Sequence, residues 1–165
     1  MNSVCGFFGL HPWELPWDTE YDQPGYARFR HQLKAHLASL AAQQSVTRFL
    51  VVMNGGASLV AAEEVLAMRL LHPVTLECII PFEELHVNWP ETERNRYFSV
   101  LEQCDVENMI SRGFSLTCYR RCARYLVDQC DALLILWNGK SGDTGDAVAM
   151  TRRSGRSVIL LSPFS

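Results

Sequence analysis

The chain has 165 residues, 48% hydrophobic and 20% charged, with a net charge of −3. That length suits one domain with a well-buried core. The acidic balance, with lysine only at Lys34 and Lys140, argues against a nucleic-acid-binding surface. No apolar run approaches the length of a membrane span, and Met1 to Leu15 lacks the basic start of a secretory leader. A cytoplasmic protein without a membrane partner is therefore expected. Its six cysteines form no CxxC pair and no zinc-like spacing, so reduced thiols and neither a metal nor a cofactor are expected. Several of them sit in apolar contexts, where cysteine acts as a small hydrophobe.

Taken in order, Ser3 to Gly9 reads as a first buried strand. Trp13, Pro16 and Trp17 follow in an irregular segment, either a flap over the sheet or a wall of a pocket. Exposed aromatics here would also suit a homo-oligomer interface. After Pro24-Gly25, Phe29, Leu33, Leu37 and Leu40 recur at helical spacing. Phe49 to Met53 is a second buried strand, Asn54 to Ala57 a small-residue loop, and Ser58 a candidate cap of the helix that follows. Val74 to Ile80 is a third strand that Pro81 is expected to close, with Glu83 and Glu84 on the rim beyond it. Pro90 and the acids Glu91 and Glu93 mark a helix start.

Val106 to Ile110 is a weaker strand, and Thr117 a candidate cap for the helix from Cys118 to Asp128. That helix carries Arg120, Arg121 and Arg124, either a site for phosphate or carboxylate or a solvated basic face. Ala132 to Leu136 is a strand that stops at Asn138-Gly139, before a helix starting near Thr144 and a last strand from Ser157 to Leu161. Strand alternates with helix throughout, which predicts an α/β domain over residues 1–165, its mostly parallel sheet of about six strands covered on both faces. In such a sheet, a glycine loop opening a helix presents backbone N–H groups and a positive dipole end to an anion. The loop from Gly139 to Thr144 is thus either a phosphate site or an ordinary strand-to-helix turn.

Several segments together resemble the YpsA-like branch of the SLOG superfamily, the Rossmann-like group that includes Smf/DprA and LOG proteins. They are Cys5-Gly6-Phe7-Phe8-Gly9-Leu10-His11-Pro12, Met53-Asn54-Gly55-Gly56-Ala57-Ser58, Ile80-Pro81-Phe82-Glu83, Trp89-Pro90-Glu91, Cys118 to Asp128, and Trp137 to Thr144. The resemblance implies a Rossmann-like sheet with a site for a nucleotide, an ADP-ribose-like molecule or a sugar phosphate at the strand C-termini. By position, that site uses Gly9, His11, Gly56, Glu83, Arg121, Arg124, Gly139, Gly142 and Thr144. Ser58 and Asn138 join it where the family has acidic residues.

The departures cluster at this site. Phe8-Gly9-Leu10-His11 stands where the family reads Thr-Gly-His-Arg, Cys122-Ala123 replaces Arg-Asn, and Asp143 replaces a loop glycine. Each lost hydrogen bond to a charged group would cost about 1.5–3 kcal/mol. Ala147 occupies the position of the catalytic glutamate of LOG enzymes. The expected function is a non-catalytic binding or sensing module with an altered pocket. The alternatives are a LOG-like nucleotide N-glycosidase and a single-stranded DNA-binding protein.

Overall fold

The computed structural model describes residues 3–17 and 20–164. Six strands form one parallel sheet: β1 (Ser3–Gly9), β2 (Val46–Val52), β3 (Thr75–Phe82), β4 (Val106–Ser111), β5 (Ala132–Leu136) and β6 (Ser157–Leu161). Their order is β4-β3-β2-β1-β5-β6. Five helices connect them: α1 (Pro24–Gln43), α2 (Ala57–Met68), α3 (Glu91–Gln103), α4 (Cys118–Gln129) and α5 (Asp143–Arg153). The result is a three-layer, Rossmann-like α/β domain.

Each central strand serves two cores, because successive side chains point to opposite faces. Cys5 and Phe7 of β1, Phe49 and Val51 of β2, and Leu134 and Leu136 of β5 pack under α1, α2 and α3. The alternate residues Phe8, Leu50, Val52, Leu133 and Ile135 pack under α4 and α5. Such doubly buried strands read as unbroken apolar runs, as they do here. Gly6 lies where α4 comes closest, since a β-carbon there would stand 3.0 Å from Cys130 Sγ and 3.2 Å from Leu126 Cδ2. On the opposite layer, ion pairs Arg30–Glu64 (2.8 Å) and Arg96–Glu63 (2.7 Å) tie α1 and α3 to the middle helix α2. Among the described residues, no helix is long and apolar enough to cross a membrane.

Three local expectations need correction, and one more holds in position only. Pro81 does not close β3, which continues to Phe82. The pairing of β2 with β3 ends at Val52 with Ile79, so the N–H that Pro81 lacks falls beyond its neighbour's end. Ser58 is not the cap of α2. Gly56 takes that place with φ +58°, and Ser58 lies inside the first turn, its hydroxyl bonded to both the N–H and the carbonyl of Gly55. Thr117 does hold the cap position of α4, but its side chain makes no capping hydrogen bond. Trp13 and Trp17 do not act as one segment. Trp17 is 2% exposed and stacks on Phe29, whereas Trp13 is 74% exposed.

That split makes a stability prediction. Trp17→Ala should cost about 3–5 kcal/mol in chemical denaturation, as a large buried ring does. Trp13→Ala should cost less than about 1 kcal/mol. A second prediction comes from the buried thiols. Burial pushes Cys5 up to about 12 from the ordinary 9.0, and burial with the neighbouring Cys118 does the same to Cys122. The folded state therefore keeps protons that the unfolded chain releases near pH 9. The stability these thiols contribute is whole below that pH and is lost as pH rises toward 12. Urea midpoints should fall between about pH 8 and about pH 10.5, and fall less steeply in Cys122→Ala.

Candidate functional site at the switch point of the sheet

The chain steps outward from β1 through β2 and β3 to β4, then returns to lay β5 on the other side of β1. The C-terminal ends of β1 and β5 therefore feed loops that diverge, one toward each face of the sheet. The crevice between such loops is where open α/β sheets take ligands. Here the crevice is bordered by the segment after β1, by Asn54 after β2, and by the start of α5.

A chain of hydrogen bonds joins these three strand ends. Asn54 Nδ2 donates to the Gly9 carbonyl (2.9 Å) and to His11 Nδ1 (3.1 Å). The Gly9 carbonyl sets the orientation of the amide, because only the nitrogen can face it as a donor. His11 Nδ1 must then accept, so the proton of the neutral ring sits on Nε2 and is donated to Asp143 Oδ2 at 2.8 Å. The Gly9 carbonyl also accepts from Thr144 Oγ1 at 3.5 Å. His11 is 4% exposed, with Trp13 stacked on it at 4.6 Å and Tyr119 edge-on at 4.5 Å. Both ring nitrogens are thus engaged within the protein.

Above this chain lies a cavity of about 450 Å³. Its apolar lining includes Trp13, Phe82, Trp89, Phe114 and Tyr119, and its polar groups are His11, Asn54, Ser115 and Asp143. Burial, followed by the charges of Cys118 and Asp143, pushes the Tyr119 hydroxyl well above its ordinary value, so it stays protonated. Asn54 is 2% exposed, yet its Oδ1 has no hydrogen-bond partner among the described residues. A buried amide oxygen without a partner costs about 1–3 kcal/mol and calls for an explanation at a site.

The residues expected from the sequence separate into groups. Gly9, His11 and Thr144 meet at the switch point. Gly142 caps α5, and a β-carbon on it would stand 3.8 Å from Glu14 Oε2. Asn138 closes its own turn by accepting from the Lys140 N–H at 3.0 Å, and Gly139 is exposed at the tip. Gly56 is covered: a β-carbon there would stand 3.1 Å from Leu15 Cδ1 and 3.3 Å from Pro12 Cγ. Glu83 is exposed on the rim, outside the cavity lining.

Arg121 and Arg124 lie apart from the crevice, in a separate cavity of about 510 Å³ along α4. Arg121 is tied to the end of β4 through Ser111 Oγ (2.6 Å) and the Ile110 carbonyl (3.0 Å). Arg124 pairs with Asp128 one turn along the same helix at 3.6 Å. The arginines therefore do not form a second wall for the loop from Gly139 to Thr144.

The loop carries Lys140, and the helix turn it opens is acidic. Asp143 and Asp146 lie in the first turn of α5, where the helix dipole favours them. Glu14 reaches back to the His11 N–H at 2.9 Å. Sequence reading did not single out Asn54, Trp89, Phe82 or Phe114 as site residues. Asn54 had one legible signal, as the first residue after a buried strand on the side where sites form.

The YpsA family model, described as the YspA SLOG family, matches residues 7–154. The UPF0398 protein BH1768 of Halalkalibacterium halodurans is 32% identical over 99 residues, covering 58% of this chain and 52% of that protein. The chain thus matches about half the length of that curated relative. The match spans every element from the end of β1 to α5, and so includes both glycine loops and the crevice between them. The chain belongs to the YpsA family of SLOG proteins.

Proposed function

We propose that the chain is a non-catalytic binding or sensing module whose small nucleotide-like ligand seats a flat ring in the cavity at the switch point. The observation that carries this reading is the aromatic cavity lined by Asn54, whose buried Oδ1 has no partner among the described residues. Flat rings gain by stacking on aromatic side chains, and an orphaned acceptor gains a donor when the ligand arrives. The His11 ring, locked between Asn54 and Asp143, keeps these polar groups in one arrangement. Such preorganisation reduces the cost of binding.

The same geometry supports binding over glycosidic cleavage. Ala147 is fully buried on the inner side of α5, and Glu83 is exposed away from the cavity. A general acid or base must come within about 3 Å of the atom it serves, directly or through one water. Asp143, the carboxylate that does line the cavity, already accepts the His11 proton.

Thermal unfolding with nucleosides, nucleoside monophosphates, ADP-ribose and sugar phosphates tests the reading. A ligand at 100 times its Kd should add about 2.7 kcal/mol and raise Tm by several degrees. Trp13→Ala should abolish that rise while leaving the ligand-free Tm nearly unchanged. No rise with any ligand, or a rise that survives Trp13→Ala, overturns the assignment of the site. Release of ribose 5-phosphate from a nucleoside monophosphate would overturn the non-catalytic part.

A further inference from the structure

Two glycine loops open helices in this domain, and the protein's own groups occupy the approach to each. At α2, Gly55 and Gly56 have φ of +89° and +58° and lie beneath Pro12, Leu15 and Trp89. A β-carbon on Gly55 would stand 3.1 Å from the Trp89 ring. That end of the helix is sealed by apolar side chains. At α5, the first turn carries Asp143 and Asp146, and Glu14 Oε2 lies 3.8 Å from where a β-carbon of Gly142 would be. Two carboxylates in the first turn, with Glu14 beside Gly142, therefore outnumber the single ammonium of Lys140 where a phosphate would otherwise find backbone N–H groups. An anion placed there meets like charge, which costs several kcal/mol when partly desolvated.

The cavity between these loops has the complementary character. Among the described residues no lysine or arginine lines it, and the one full charge there is that of Asp143. His11 contributes no free donor, because its Nδ1 accepts from Asn54 and its Nε2 donates to Asp143. The unsatisfied buried atom, Asn54 Oδ1, is an acceptor. Trp13 and Trp89 add aromatic rings to the lining, and the faces of such rings attract cations.

From this we infer that the cavity selects a flat nitrogen heterocycle that donates hydrogen bonds and carries no phosphate where it meets Asp143: an amino-substituted or cationic ring. The inference rests on the reading of the cavity as the ligand site and names the chemistry of what enters. An exocyclic amine or ring N–H would satisfy Asn54 Oδ1, and a positive or donor edge would face Asp143. The ring itself would lie among the aromatic side chains.

Calorimetric titration of the full chain, with tryptophan fluorescence as a second signal, tests this with four probes: adenosine, 1-methylnicotinamide, AMP and inorganic phosphate. Adenosine and the 1-methylnicotinamide cation should bind, AMP about tenfold or more weaker than adenosine, and phosphate not at all. Asp143→Asn should weaken the cation about tenfold and narrow the gap between AMP and adenosine. Asp146→Asn, a charge change in the same turn but outside the cavity lining, should weaken the cation far less than Asp143→Asn does. Thermal unfolding of each variant checks that it folds. If AMP binds as tightly as adenosine or more so, and Trp13→Ala abolishes both, the inference falls while the cavity remains the site. If none of the four probes binds, both fall.

Discussion

The hydrogen-bond chain from the Gly9 carbonyl through Asn54 and His11 to Asp143 holds the C-terminal end of the sheet together. It links the ends of β1 and β2 to the first turn of α5, across the point where the sheet reverses its direction of growth. Each group in it has a role set by its neighbour. The Gly9 carbonyl orients the amide, the amide selects the histidine tautomer, and the histidine holds one oxygen of Asp143. What remains unpaired among the described residues of this chain is Asn54 Oδ1, a buried acceptor.

The same chain accounts for the changed character of the site. A glycine loop before a helix is an anion cradle only while its N–H groups and dipole are free of other charge. In this domain Asp143 turns the α5 loop inward toward His11, and Pro12, Leu15 and Trp89 close over the loop at α2. Both glycine loops open helices at strand ends, and the groups around them include carboxylates and aromatic side chains.

The layered fold was legible because it depends on local pattern. The apolar runs of β1, β2 and β5 are long enough for a strand buried on both faces. Helical stripes such as Phe29, Leu33, Leu37 and Leu40 need only a sheet to lie on, and all four are buried. Pro81 was misread for a physical reason. The rule that proline ends a strand assumes a neighbour on the side of the missing N–H, and only the register of β2 shows that there is none. The two tryptophans of the N-terminal segment differ likewise. Trp17 reaches Phe29 of α1, and Trp13 lies over His11, a distinction made by the path of the chain between them.

By itself the sequence determined the α/β class, the order of its elements and the family. Each of these follows from hydrophobic periodicity or from short motifs whose residues are neighbours in the chain. Only the tertiary structure decided which groups share the crevice. His11 and Asn54 are 43 positions apart, and His11 and Asp143 are 132 apart, yet they are in hydrogen-bond contact. Arg121 and Arg124, which looked like partners of the α5 loop, lie along α4 in another cavity, held to β4 and to their own helix. Strand order and helix packing bring distant residues together, and no spacing within the chain encodes that meeting.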